Sequence, residues 1–159
     1  MARSIVVATD GSKPAEEAVR QATELASREG ARLHLVTAYP DPQMLRDPTT
    51  IWSNDPKGVI DSGRAGGAAP TETVDLREVA ESVLRRAARE AVSKGVEVET
   101  HAREGEPADV IIDVANQVGA DLIVIGSRGL TGIKRYLLGS VSTKVSQHAH
   151  CSVMIVRAH

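Results

Sequence analysis

The residues between positions 121 and 141 have the types and spacing of a phosphate-binding site. An apolar run at 122–125 predicts a strand buried on both faces, and Gly126 and Gly129 follow it in a loop. Gly139 and Ser140 then open a predicted helix, where the Ser140 hydroxyl is placed to cap backbone donors. Glycines let backbone amides approach a ligand closely, and a helix N-terminus adds unpaired N–H groups and a favourable dipole. The pattern favours an anionic ligand such as phosphate.

The glycine spacing excludes two common phosphate-binding motifs. A Walker loop needs Gly-Lys-Ser/Thr after four intervening residues, but the residue at that position, five after Gly126, is Thr131. A dinucleotide fingerprint would place G-x-G-x-x-G in the first strand-to-helix turn, but that turn reads Asp10-Gly11-Ser12.

The chain instead contains Gly126, two residues, Gly129, nine residues and then Gly139-Ser140. This spacing resembles the ATP-binding signature of the universal stress protein family. The segments IVVATDGS, LHLVTAYP and GEPADVIIDVANQVGADLIVIGSRG resemble the same family. The resemblance covers nearly the whole chain. It implies a sensor or switch in the stress response that binds ATP, with or without Mg²⁺, and AMP or cyclic AMP is the alternative ligand. Some relatives imply slow ATP hydrolysis or autophosphorylation at most. A dimeric interaction protein without a nucleotide is a third hypothesis.

Strands and helices alternate along the sequence. Strands are predicted at 4–9, 33–38, 96–102, 122–125 and 152–157, and helices at 15–29, 74–94, from 106, and from 139. This alternation predicts an α/β fold, a three-layer α/β/α sandwich around a five-stranded parallel sheet. The family resemblance implies the strand order 3-2-1-4-5 of an adenine nucleotide alpha hydrolase-like fold. The topological switch point then lies between the strands that end before Asp10 and Gly126, where such sheets bind ligands.

Residues 1–159 are the size of one domain, and a flexible loop is expected at 40–73. That segment holds five of the chain's seven prolines and shows no sustained hydrophobic period, so no regular element is predicted there. A loop this long is either functional or disordered, and the sequence leaves both open.

Twelve residues are predicted to bind the nucleotide. Ala8 and Thr9 would line the base, and Val36 resembles the family residue whose backbone recognises adenine. Gly126 and Gly129 would pass close to the ribose and phosphates, whereas amides and hydroxyls at the last helix would bind the phosphates. The complete set is Ala8, Thr9, Asp10, Val36, Gly126, Ser127, Arg128, Gly129, Gly139, Ser140, Val141 and Ser142.

Two of these residues have alternative roles. The Asp10 carboxylate could accept hydrogen bonds from ribose hydroxyls, or it could cap the amides of Ser12 or Lys13. The family resemblance favours the ribose. Arg128 could neutralise phosphate charge or be an exposed loop residue.

Composition disfavours several classes of partner. A formal net charge of -2 offers no basic field for nucleic acid or an anionic membrane, and the absence of Phe beside one Trp and two Tyr leaves no platform for stacking bases. No run of about 18 apolar residues is present, and the N-terminus lacks a signal peptide, so a cytoplasmic location is expected. Cys151 is the only cysteine and is expected to be a buried small residue.

No catalytic constellation and no metal site are predicted. His148, His150 and Cys151 form the only local cluster of metal ligands in the sequence, and a site there would need a fourth ligand from elsewhere.

A homodimer is expected through the last strand, at 152–157, because its apolar edge would otherwise be open to solvent. The family resemblance implies that two such strands pair across a two-fold axis. Relatives often carry Pro immediately before this run, where the chain has Ser152.

Overall fold

The computed structural model describes residues 3–41, 75–127 and 139–157. Apart from residues 40 and 41, the loop predicted at 40–73 lies outside the described residues, as do Arg128 and Gly129 of the predicted site.

Strands and helices alternate as the sequence predicts. The strands are β1 (Ser4–Ala8), β2 (Arg32–Tyr39), β3 (Val98–Glu104), β4 (Leu122–Gly126) and β5 (Ser152–Val156). The helices are α1 (Lys13–Glu29), α2 (Leu76–Ser93), α3 (Pro107–Val118) and α4 (Ser140–His148).

The strands form one five-stranded sheet in the order β3-β2-β1-β4-β5, and all four strand pairs are parallel. This confirms the predicted α/β class and strand order. Chain order reverses at β1, which lies between β2 and β4, so the switch point is between β1 and β4 as expected. The carboxyl ends of these two strands therefore lie side by side.

The sheet is buried on both faces by separate apolar cores. One core contains residues of α1 and α2 with Ile5, Val7 and Leu35, and the other contains residues of α3 and α4 with Val6 and Val36. Alternate residues of one strand thus pack on opposite helical layers, because successive side chains of a strand point to opposite faces. The molecule is a three-layer sandwich.

Local signals explain where the helices begin and end. Ser12 is the N-cap of α1, and its Oγ accepts a hydrogen bond from the Ala15 amide at 3.3 Å. The Glu106 carboxylate caps α3 at the amides of Ala108 and Asp109. Gly30, with φ 65°, ends α1 in the left-handed conformation that glycine adopts most readily.

Three details differ from the sequence predictions. The N-cap of α4 is Gly139, so Ser140 is its first helical residue and does not cap it. Strand β3 begins at Val98 rather than residue 96, because the Val96 amide bonds to the Ala91 carbonyl and completes the end of α2. The apolar periodicity of the helix predicted at 74–94 would place Val79 on the buried face, but Val79 is 50% exposed.

Among the helices of residues 3–41, 75–127 and 139–157, none is long and apolar enough to cross a membrane.

Candidate functional site

The carboxyl ends of β1 and β4 and the start of α4 form the candidate site. Ile5, Val6 and Val7 of β1 pair with Leu122, Ile123 and Val124 of β4. The loop containing Asp10 leaves β1 at this edge, and Ser127 leaves β4 beside it. The fold thus brings together two predicted parts of the site that lie more than a hundred positions apart in the sequence.

The Ser127 carbonyl connects β4 to α4. It accepts hydrogen bonds from the Gly139 amide at 2.7 Å and from the Ser142 hydroxyl at 3.2 Å. The Ser142 hydroxyl also lies 3.0 Å from the Gly139 carbonyl, and Ser142 is only 2% exposed. In this arrangement the Ser142 hydroxyl and the Gly139 amide position the start of α4, and both are already bonded within the protein.

The first turn of α4 has amides for which the described residues supply no acceptor. A helix leaves its first N–H groups without intrahelical acceptors, and Gly139 has no side chain with which to cap them. The amides of Ser140, Val141 and Ser142 have no acceptor within the part of the chain that the structure describes. With the positive end of the helix dipole, these donors suit an anion.

The ion pairs that help to place α4 are exposed rather than buried. Lys144 of α4 lies 3.0 Å from Asp109 and 3.1 Å from Glu106, both at the start of α3. The Lys144 ammonium lowers the pKa of the Asp109 carboxyl by hydrogen bonding. Because these side chains are partly exposed, we assign the contacts an orienting role rather than a large share of stability.

The β1–α1 loop is held by hydrogen bonds of its own. Asp10 Oδ1 accepts from the Ser12 amide at 2.9 Å, and Thr9 Oγ1 accepts from the Gly11 amide at 3.2 Å. The Thr9 carbonyl accepts from the Thr37 hydroxyl at 2.8 Å. The capping role predicted as one alternative for Asp10 is therefore present. Asp10 is exposed, and a carboxylate has further acceptor sites for ribose hydroxyls.

Ala8 and Val36 lie opposite each other on β1 and β2, on the face covered by α3 and α4. Val141 packs against the same core. The Val36 carbonyl accepts a hydrogen bond from the Thr9 amide at 2.9 Å, and Val36 is 1% exposed. Val36 thus lies beside Ala8, and its backbone oxygen already accepts one hydrogen bond within the protein.

Gly126 has a packing role that sequence reasoning missed. A Cβ at this position would lie 3.0 Å from the Pro14 carbonyl carbon and 3.1 Å from the Pro14 carbonyl oxygen. These distances are shorter than ordinary contacts, and the neighbour is backbone. Glycine is therefore needed where the end of β4 meets the first turn of α1. No sequence signal distinguishes a glycine needed for packing against α1 from a glycine needed for close approach to a ligand.

A separate crevice of about 290 Å³ lies between α1 and α2. It shares Thr9 and Gly11 with the candidate site, but Val19, Val83 and Arg86 line the rest of it. These walls belong to the helical layer opposite α4, so we do not assign the crevice to the phosphate end of the site.

Cys151 carries no sign of nucleophilic activation, because burial raises the pKa of its thiol. Its partly buried side chain packs against the α3 and α4 core, as expected of a small apolar residue.

Comparison with known sequences gives one family. The model of the universal stress protein family matches residues 1–157. A universal stress protein of Bacillus subtilis strain 168 is 35% identical over 157 residues, covering 99% of this chain and 100% of the relative. A universal stress protein of Methanocaldococcus jannaschii is 31% identical over 155 residues, covering 98% of this chain and 82% of the relative.

Solved structures agree with this result. A universal stress protein in complex with cAMP superposes with a TM-score of 0.66 at 29% identity, covering 98% of this chain and 97% of the other. An Archaeoglobus fulgidus universal stress protein in complex with dAMP gives a TM-score of 0.65 at 28% identity and 97% coverage of each chain. The family model and the relatives match nearly the whole chain, and this chain belongs to the universal stress protein family.

Proposed function

We propose that this protein binds ATP at the crevice between β1, β4 and α4 and acts as a nucleotide-dependent sensor or switch in the stress response. The observation that carries the proposal is the first turn of α4. Three amides there have no partner in the described structure, and they lie at the sheet edge where Asp10 is exposed. Donors for phosphates and an acceptor for ribose are what a nucleotide requires.

Each part of the site has a role in this proposal. Ser140 and Val141 donate amides to the phosphates, and Asp10 accepts from the ribose through the carboxylate sites that Ser12 leaves open. Ala8 and Val36 lie toward the base. Arg128 and Gly129, outside the described residues, complete the phosphate loop that the sequence predicts. No residue is assigned a catalytic role.

The second candidate is a protein that prefers AMP or cyclic AMP. Two structures similar to this chain at 28–29% identity contain dAMP and cAMP, which favours an adenosine monophosphate ligand. Both candidates use the same ribose and base contacts. They differ in how many phosphates reach the amides of α4.

Calorimetry separates the candidates. Nucleotide-stripped protein is titrated with ATP and Mg²⁺, then again with AMP or cyclic AMP present at equal concentration. We expect ATP to bind with one site per chain and the competitors to displace it little, because a triphosphate carries more charge to the α4 dipole. Displacement of ATP by either monophosphate supports the second candidate. No heat from any of the three contradicts nucleotide binding and supports the interaction-protein hypothesis.

We further propose that the protein is a cytoplasmic homodimer, with β5 of each chain paired across a two-fold axis. Strand β5 is at one edge of the sheet, and Val153, Met154 and Ile155 are only partly buried. An apolar edge strand with free backbone groups is a template for pairing.

The structure allows a selective test of this dimer. The Val156 carbonyl accepts a hydrogen bond from the Ser127 amide, which follows β4, so the backbone groups of Val156 point toward β4. Val153 and Ile155 are three residues and one residue from Val156, so their backbone groups point the other way, to the open edge of the sheet. Val153→Pro removes an edge donor and spares the contact with β4. Light scattering at micromolar concentration should give twice the chain mass for the wild type and a folded monomer for Val153→Pro. A monomeric wild type contradicts the proposal, as does a variant that stays dimeric.

A further inference from the structure

Two histidines meet on the strands farthest from β5. His34 of β2 and His101 of β3 have their ring nitrogens, Nδ1 and Nε2, 3.1 Å apart. In the parallel register His34 lies opposite Glu99, and Val36 lies opposite His101. Residues 34 and 36 share one face of β2, so both imidazoles and the Glu99 carboxylate emerge on that face, the one covered by α3 and α4.

The Glu99 carboxylate completes a group of three ligands. One of its oxygens lies 3.7 Å from His34 Nδ1, and the other lies 3.7 Å from His101 Nε2. One ligating atom from each of the three residues can be chosen so that all lie within 4.8 Å of one another. No other such group of three or more His, Cys, Asp or Glu residues is found within 3–41, 75–127 and 139–157.

Burial favours the neutral form of both histidines. Burial lowers the pKa of both imidazoles below the usual range, and for each ring this outweighs the nearby Glu99 carboxylate. The neutral imidazole is the form of histidine that binds metals. The only negative charge in the group is then the Glu99 carboxylate.

A hydrogen bond alone would use only part of this arrangement. Between two neutral rings, one N–H can donate to the other nitrogen, and this accounts for the 3.1 Å contact. It does not use the carboxylate, which lies 3.7 Å from both nitrogens, beyond hydrogen-bonding distance.

We propose that His34 Nδ1, His101 Nε2 and the Glu99 carboxylate form a binding site for a divalent transition-metal cation of the Zn²⁺ type. Two imidazoles and a carboxylate are a ligand set that Zn²⁺ takes, leaving a fourth position for water or another ligand. Nitrogen ligands about 2.0–2.1 Å from a tetrahedral metal lie roughly 3.3 Å apart, close to the separation of the two histidines. Calcium and magnesium, which prefer oxygen ligands, fit this set poorly.

The position of the three ligands leaves a path for an ion from solvent and determines which strands the ion would join. Strand β3 is at an edge of the sheet, and the Glu99 side chain is 53% exposed, so an ion can enter from solvent. His34, in contrast, is 3% exposed and fixed in the sheet. A metal here joins β3 to β2, and one of its ligands, His101, is paired with Val36. The site does not depend on the proposed nucleotide function.

Metal binding is tested on chelator-treated full-length protein with two probes. Zn²⁺ is titrated by calorimetry, and Co²⁺ is titrated by its visible absorption, which reports nitrogen and oxygen ligands in a tetrahedral site. The variants are Glu99→Gln and His101→Gln. The control is His150→Gln, which removes an exposed histidine outside the group.

We expect one metal ion per chain for the wild type and for His150→Gln. Both ligand variants should lose at least the roughly 10–100-fold in affinity that changes around a metal site cause. Zn²⁺ should also raise the melting temperature of the wild type but not of Glu99→Gln, since only a ligand that binds the native state stabilises it.

Several outcomes overturn the proposal. They are no uptake by the wild type, equal affinity in the wild type and Glu99→Gln, and loss of binding in His150→Gln, which would place the ion elsewhere. If His101→Gln does not fold, Glu99→Gln decides, because its side chain is partly exposed and outside the core.

Discussion

Replacing Gly126 by Ala should lower the free energy of unfolding by about 1–3 kcal/mol, the usual cost of inserting a methyl group into a well-packed region. The added Cβ would lie 3.0–3.2 Å from three atoms of Pro14, two of which belong to the backbone carbonyl. A side chain could rotate away, but the first turn of α1 must move as a unit. For a chain of this size, each kcal/mol corresponds to about 2–4 °C in Tm, which calorimetry or circular dichroism resolves.

The same variant should weaken nucleotide binding, because movement of α1 displaces the loop containing Thr9 and Asp10. Gly119→Ala is the matched control. Gly119 ends α3 with φ 64°, and a Cβ there has no atom within 4 Å, so the substitution costs backbone strain alone. It lies at the opposite end of β4 from the site. Gly119→Ala should be destabilised but bind nucleotide normally.

Two results would contradict this account of Gly126. Wild-type stability in Gly126→Ala would show that the contact with Pro14 is not tight. Wild-type stability combined with lost nucleotide binding would return Gly126 to the role that the sequence predicts, close approach to the ligand.

Asp10→Asn should separate the two roles of Asp10. An Asn side chain keeps one carbonyl oxygen to accept from the Ser12 amide, so stability should change by less than about 0.5 kcal/mol. It loses the negative charge and replaces the second oxygen by an amide donor, which cannot accept from ribose hydroxyls. Hydrogen bonds to charged groups contribute about 1.5–3 kcal/mol, so nucleotide affinity should fall roughly 10–100-fold.

Two further variants control this experiment. Asp113→Asn makes the same change of charge at an exposed position on α3 and should bind as the wild type does. Asp10→Ala removes the bond to Ser12 as well, so it should lose both affinity and about 0.5–1.5 kcal/mol of stability. If Asp10→Asn binds nucleotide with unchanged affinity, Asp10 serves only to order the loop.

The fold was predictable because local and periodic signals agree. Apolar runs of strand length alternate with amphipathic helices, and Ser12, Gly30 and Glu106 mark the helix ends where they are observed. The strand order came from family resemblance rather than from periodicity, and the structure confirms it. Predictions were least accurate at the ends of elements, as at Val96, where a backbone bond to Ala91 decides the boundary.

The site was predictable only in outline. The sequence indicates which residues gather at the switch point, but not which of their polar groups the protein itself uses. The bonds of Ser142 and Gly139 to Ser127, and of Val36 to Thr9, depend on tertiary geometry. The lack of a side-chain cap at the start of α4 follows from Gly139 being the N-cap, one residue from the expected cap.

The histidine pair was missed for a similar reason. His34 and His101 are 67 positions apart and lie in no motif, whereas the cluster at 148–151 is local in the sequence. Glu99 and His101, two residues apart on one strand, were the available signal. It becomes informative only when the order β3-β2 and the register of the two strands are known.

The claim that α4 binds the phosphates of a nucleotide is tested most directly by amide chemical shifts during titration of ¹⁵N-labelled protein with ATP and Mg²⁺. The account predicts the largest saturable shifts at Ser140, Val141 and Ser142, accompanied by shifts at Asp10. Shifts confined to the crevice between α1 and α2, or no saturable shifts, would contradict it.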